Sequence, residues 1–257
     1  MIVRAALCPS PPLLAREFTG LADVLPSLRD ACAAAVADLL APAPDVVAVV
    51  GAGQETATCD PEDRLDLSAY APGLRVARAP GVPAGAQASP SGAPAADGQA
   101  VDPGKPGKPG LPLALGVGAL LLDEAGYAGP RVLQAVDEFA PAADCLRLGR
   151  DLADAAPRVA LLAVGDGSTR RGPTAPGYLD ERAAPFDAAV ERAVRAGDMP
   201  ALARLDPDLA RDLMATGRAA WQVLAGAMDG TRPSAGIRYA DAPFGVAYLV
   251  AVLTPHG

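Results

Sequence analysis

The segment Gly165-Asp166-Gly167-Ser168-Thr169-Arg170-Arg171 gathers chemistry densely. Glycines let a ligand approach the backbone closely. Adjacent arginines can fork onto a carboxylate or phosphate, and Asp166 is placed to hold them. Asp166, Gly167, Ser168, Arg170 and Arg171 are therefore candidate ligands for a small anionic metabolite. The competing reading is a polar turn with surface arginines, since no Gly-Lys-Ser/Thr follows as in a phosphate-binding loop. Ser168 as a hydrolase nucleophile would need a neighbouring base. The only histidine is His256, the second-to-last residue, and chain ends are seldom held in place. Cys8 and Cys59 meet the same objection as nucleophiles. Glu55, Asp60 and Asp166 are hard-metal donors in type, but their spacing matches no known signature, so no metal is expected. The acids of 180–187 suit a helix start; capping explains them more simply than an acid/base pair. Trp221 lies in an apolar helical stretch and reads as core.

Strands must place these groups. Ile2 to Leu7 is a short apolar run stopped by Cys8-Pro9-Ser10-Pro11-Pro12, because proline breaks a sheet ladder. From Val24 to Leu40, Leu25, Leu28, Cys32, Val36 and Leu39 recur at helical spacing. Asp45 to Gly51 is a β-branched run without alternation, the mark of a strand buried on both faces. Strand, helix, buried strand opens a βαβ architecture. Further helices are expected at Leu113–Ala125, Pro141–Ala155, Ala183–Arg195 and Leu209–Met228. Further strands are expected at Arg131–Val136, Arg158–Gly165, Ile237–Tyr239 and Val246–Leu253. The expected fold is α/β: a three-layer α/β/α sandwich with a mostly parallel or mixed central sheet. Residues 1–257 form one domain in this reading. It is interrupted at about 79–112 by a Pro/Gly/Ala-rich stretch with too little apolar surface to offset its ordering entropy, read as a flexible insertion. In such sheets ligands sit beyond the carboxyl ends of the strands. Cys8–Pro11, Gly51–Glu55 and Gly165–Arg171 would then share one mouth.

Composition narrows the partners. The 257 residues are 51% hydrophobic with a net charge of -8, globular and without the basic surface that nucleic acid requires. No uncharged apolar stretch reaches a membrane-spanning length of about 18 residues, and no secretory leader is recognisable. Four cysteines without a C-x-x-C pair read as free thiols in a reducing compartment. The expected location is cytoplasmic, with neither nucleic acid nor membrane as partner.

Several stretches carry a resemblance. Cys8-Pro9-Ser10-Pro11-Pro12-Leu13-Leu14 resembles the opening of the superfamily built around the catalytic subunits of class III extradiol ring-cleavage dioxygenases, specifically an uncharacterised actinobacterial group within it. Val164 to Arg171, followed by Ala175-Pro176-Gly177-Tyr178-Leu179-Asp180-Glu181-Arg182-Ala183, is the strongest part of the match. Gly217 to Leu224 and Ala242 to Val246 extend it. The resemblance implies catechol ring opening by Fe(II) held by two histidines and a glutamate, with a further histidine for acid/base work. It places those groups near Ser10, near Gln54 and Glu55, near Gly217 and Arg218, and near Ser168 and Thr169. None of these positions is a histidine. The resemblance thus implies a non-catalytic or repurposed member with a small-anion-binding crevice and no expected cofactor, possible as a homo-oligomer or beside a second subunit. The alternatives are a metal-dependent oxidoreductase with atypical ligands, or a hydrolase.

Overall fold

The computed structural model describes residues 1–15, 24–63, 65 and 110–256. Strand β1 (Ile2–Cys8) is followed by helix α1 (Pro26–Leu40), β2 (Val46–Gly53) and β3 (Ala57–Cys59). Then come α2 (Leu113–Glu124), β4 (Arg131–Asp137), α3 (Ala142–Ala153) and β5 (Val159–Val164). The helices α4 (Ala183–Arg195), α5 (Met199–Ala203), α6 (Pro207–Asp212) and α7 (Arg218–Ala227) precede the closing strands β6 (Ser234–Asp241) and β7 (Tyr248–Thr254).

The strands form one seven-stranded sheet in the order β3-β4-β2-β5-β1-β7-β6. The central four, β4, β2, β5 and β1, are mutually parallel, while β3 and β7 run against their neighbours. The uninterrupted apolar runs have the burial they call for: all of β5 and Val46–Gly51 of β2 are buried. Two cores result, one on each face. Helices α1 and α2 pack on one face through Leu28, Cys32, Val36, Leu115 and Leu122. Helices α3 to α7 contribute the other core through Cys145, Phe186, Trp221 and Leu224. The architecture is the expected α/β sandwich, with a mixed sheet. On the second face, α3 and α7 approach backbone to backbone: a Cβ on Gly149 would lie 2.0 Å from the Val223 carbonyl oxygen. The two central glycines of this crossing, Gly149 and Gly226, leave no room for a side chain.

One expectation needs correction. The helix expected over Leu209–Met228 is two helices, broken at 213–217. Met214 adopts a left-handed φ of 54°. The Gly217 N–H donates to the Asp166 carbonyl at 2.8 Å, and the Thr216 hydroxyl accepts from the Asp166 N–H at 3.2 Å. These bonds to the end of β5 replace helical ones, and only glycines allow the approach: a Cβ on Gly165 would lie 2.5 Å from the Gly217 Cα. Two short elements, β3 and α5, were not anticipated. Most of the insertion expected at about 79–112 falls outside the described residues; of its last three, Gly110 is exposed and Pro112 part-buried. Leu111 is buried and bridges to Leu65, and Pro112 caps α2.

Candidate functional site

All four parallel strands point their carboxyl ends at one crevice of about 1270 Å³. This is where an open α/β sheet is expected to bind a ligand. Ser10 to Leu13 enter it after β1, Gly53 to Glu55 from the end of β2, Glu138 after β4, and Asp166 and Thr169 after β5. The three expected strand ends therefore do share one mouth. Tyr248 from the start of β7 and Phe244 and Val246 from the preceding turn close one side. Leu111 to Ala114, ahead of and within α2, close another. Apolar side chains dominate these walls.

The turn that carries Ser10 to Leu13 is fixed from below by a buried charge. Arg29 on α1 is 7% exposed and donates to the carbonyl oxygens of Leu14 and, at 3.1 Å, Leu13. Burial of a guanidinium is tolerated when carbonyls satisfy its donors. Beneath Ser10, the Cys8 thiol is buried against Cys32; their hydrogen bond and the burial raise its pKa. Burial also raises Cys59. Both are thiols rather than thiolates at neutral pH; Cys8 is packed in the core as expected, while Cys59 is part-buried on the crevice wall. All four cysteines are free.

Asp166 departs from its expected part. It does not hold the arginines. Its Oδ1 accepts from the Ser10 N–H at 2.7 Å, joining the turns after the two central strands β5 and β1. Enclosure drives its carboxyl up to about 6, against the lowering effect of the Ser10 hydrogen bonds. Among the described residues no lysine or arginine stabilises its charge.

Arg170 and Arg171 turn away from the crevice, so the expected anion fork is not assembled there. Arg171 pairs with Asp187 on α4 at 3.2 Å and lines a separate, smaller cleft with Gly167 and the acids Asp187, Glu191 and Asp241. The aliphatic part of Arg170 packs near Gly177 and Met214, and its Nε is buried without a hydrogen bond. Ser168 is sequestered as well. It is fully buried, donates its N–H to Asp187 Oδ1 at 2.9 Å and its hydroxyl to Asp187 Oδ2 at 2.5 Å. A hydroxyl so held is a structural clasp between the loop and α4, not an accessible nucleophile. Asp187, expected as a cap or surface charge, is instead the carboxylate that organises this loop. Asp180 keeps the surface role expected for it and pairs with Arg182 at 2.9 Å.

Of the positions matched to the family's metal and acid/base groups, Ser10, Gln54, Glu55 and Thr169 do line the crevice. Arg218 does not. It is 2% exposed beneath the site, donating to the Glu138 and Ala140 carbonyls and to Gln222 Oε1 at 3.0 Å. His256 is also remote. Strand β7 runs antiparallel to β1 with Tyr248 at the crevice and Leu253 paired to Ala5. At about 3.3 Å per residue, the chain after Thr254 emerges roughly 20–25 Å from the crevice, at the opposite end of the sheet. The donor set at the matched positions is thus hydroxyl, amide and carboxylate, which does not fit a two-histidine Fe(II) centre. Among the described residues no three His, Cys, Asp or Glu side chains converge as a metal site.

Glu138, Phe244 and Tyr248 were missed by sequence reasoning. Phe244 holds a left-handed φ of 60° and is 55% exposed in the crevice lining. A bulky residue seldom adopts that backbone without a local reason. The one sequence signal for it is the turn-forming Pro243-Phe244-Gly245 between two strands.

No family model matches the chain, and no curated protein matches it. Among solved structures, the crystal structure of the uncharacterized protein JW3007 from Escherichia coli K12 is similar over 98% of this chain and 99% of that one, at 17% identity and a TM-score of 0.51. That likeness extends to the fold. Among the described residues no helix is long and apolar enough to cross a membrane.

Proposed function

We propose that this chain is a member of the class III extradiol dioxygenase-like superfamily that has given up iron-dependent ring opening. In this reading its strand-end crevice binds a small organic molecule in the cytoplasm. The observation that carries the reading is the path of β7, which takes the single imidazole of the chain to the end of the sheet opposite the crevice. Neutral imidazoles place and tune such an iron, and a further one moves the proton during ring opening. Ser10, Gln54 and Thr169 supply neither function. The crevice itself supports binding: it is concave, mostly apolar and carries a few polar groups, which is how small-molecule sites are built.

An oxygen-uptake assay tests this reading. Protein incubated with Fe(II) without air, then given catechol and oxygen, is expected to consume oxygen no faster than Fe(II) and catechol alone. Turnover that depends on the protein and yields a ring-opened product would show an active oxygenase with carboxylate or thiol ligands instead.

A further inference from the structure

The crevice has an electrostatic character that selects among organic ligands. Glu55, Glu138 and Asp166 line it, with Asp60 and Asp63, which have interactions of their own, and no lysine or arginine does among the described residues. Glu55, Asp60 and Asp63 follow the ends of β2 and β3, and Glu138 follows β4. Asp166 differs, because it follows central strand β5, is hydrogen-bonded by Ser10 and has no cationic neighbour among the described residues. A carboxylate drawn out of water is costly unless a cation or donors compensate it. Donation from Ser10 compensates only in part.

Resting on the binding role proposed above, we infer that the crevice takes an organic cation, an amine on an apolar body, with Asp166 as its counter-ion. An ammonium group there would complete the hydrogen bonding of Asp166 and offset its desolvation. The body would lie against Leu13, Leu111, Val246, Phe244 and Tyr248. An organic anion would meet the Asp166 carboxylate instead, and neither Arg170 nor Arg171 lines the crevice to receive it.

The charge state of Asp166 makes the inference pH-dependent. The other titratable groups of the crevice wall are Glu55, Cys59, Asp60, Asp63, Glu138 and Tyr248. The Cys59 thiol and the Tyr248 phenol are both raised, so they stay neutral through this range. Asp166, at about 6, changes charge within it.

Three indoles with one body and different heads test this: tryptamine, tryptophol and indole-3-acetate, measured by calorimetric titration of the full chain. Tryptamine is expected to bind about tenfold more tightly than tryptophol at about pH 8, the value of one compensated charge pair. That preference should shrink toward parity at about pH 5, where most Asp166 is protonated. Asp166→Asn, which keeps an acceptor for the Ser10 N–H, should bring tryptamine down to the affinity of tryptophol at both pH values. Equal binding of the amine and the alcohol to the native chain, tighter binding of indole-3-acetate, or an amine preference untouched by Asp166→Asn would overturn the cation inference while leaving a binding crevice in place. Failure of all three to bind at millimolar concentration would overturn both the inference and the binding role beneath it.

Discussion

Asp166→Asn is expected to make the protein more stable at neutral and alkaline pH. The folded carboxyl titrates at about 6 against an ordinary value of 3.8, because enclosure disfavours its charge. An acid whose pKa is raised by folding lends the native state its full stability only below the unfolded value, and that stability is lost as pH rises through the folded one. The penalty is therefore nearly absent below 3.8, develops between 3.8 and about 6, and is constant above. Asp166 is only half-buried at the crevice wall, so a shift of this size corresponds to at most about 3 kcal/mol at pH 8 and about 1 kcal/mol at pH 4.5. Asparagine is nearly the shape of the protonated acid and still accepts from Ser10, so the variant should recover most of that difference. Urea denaturation of both proteins at the two pH values checks it. A variant no more stable than the parent at pH 8 would mean that Asp166 is solvated in the native state. A residue that destabilises the fold at the floor of a crevice is the pattern of a group kept for binding or chemistry.

Arg218→Met is expected to cost about 3 kcal/mol. The guanidinium is 2% exposed and has no carboxylate partner among its hydrogen bonds. It instead gathers the carbonyls of Glu138 and Ala140 and the side chain of Gln222. Gln222 in turn donates to the Ala203 and Leu205 carbonyls at 3.1 and 2.9 Å. One arginine therefore ties the β4–α3 turn to the α5–α6 connection through α7. Burial lowers its pKa, the sign of a desolvated cation. Methionine fills much of the same volume but takes the guanidinium donors from the buried Ala140 carbonyl and Gln222 Oε1 and from the part-buried Glu138 carbonyl, at roughly 1 kcal/mol or more each. Relief of the buried charge offsets only part of this. Chemical denaturation measures the loss, and a change under about 0.5 kcal/mol would show that the acceptors find water. The same variant should loosen the backbone that brings Glu138 to the crevice, without touching Asp166.

The sheet was legible because its central strands announce themselves. Val46–Val50 and Val159–Val164 are unbroken apolar runs, and such runs need cover on both faces. The stripe of α1 was legible through the spacing of Leu28, Cys32, Val36 and Leu39. The break between α6 and α7 was not. Propensity over 209–228 is helical, and the bonds that interrupt it come from Asp166, about fifty residues earlier.

The crevice was legible as a place, through the strand-end rule, and less so as chemistry. Adjacent arginines in a glycine-rich loop suggest an anion fork, but side-chain direction decides the matter. Asp187, which lies in what reads as a helix start, draws Arg171 and Ser168 away from the mouth. Asp166 looks like their partner by proximity in sequence; its actual partner, Ser10, is distant in sequence and adjacent only because β1 and β5 pair in parallel. The histidine count, by contrast, needs no geometry, and the fold strengthens it by carrying His256 away from the crevice.

A crevice that works without the iron of the family it resembles is tested most directly by a stoichiometry. The purified chain is loaded with Fe(II) in the absence of oxygen, passed through a desalting column, and its metal measured by elemental analysis. The expected result is iron far below one atom per chain, unchanged by Asp166→Asn. About one tightly held iron per chain, lost on mutation of Asp166, Glu55 or Glu138, would contradict the proposed function and make the crevice a metal centre built from carboxylates.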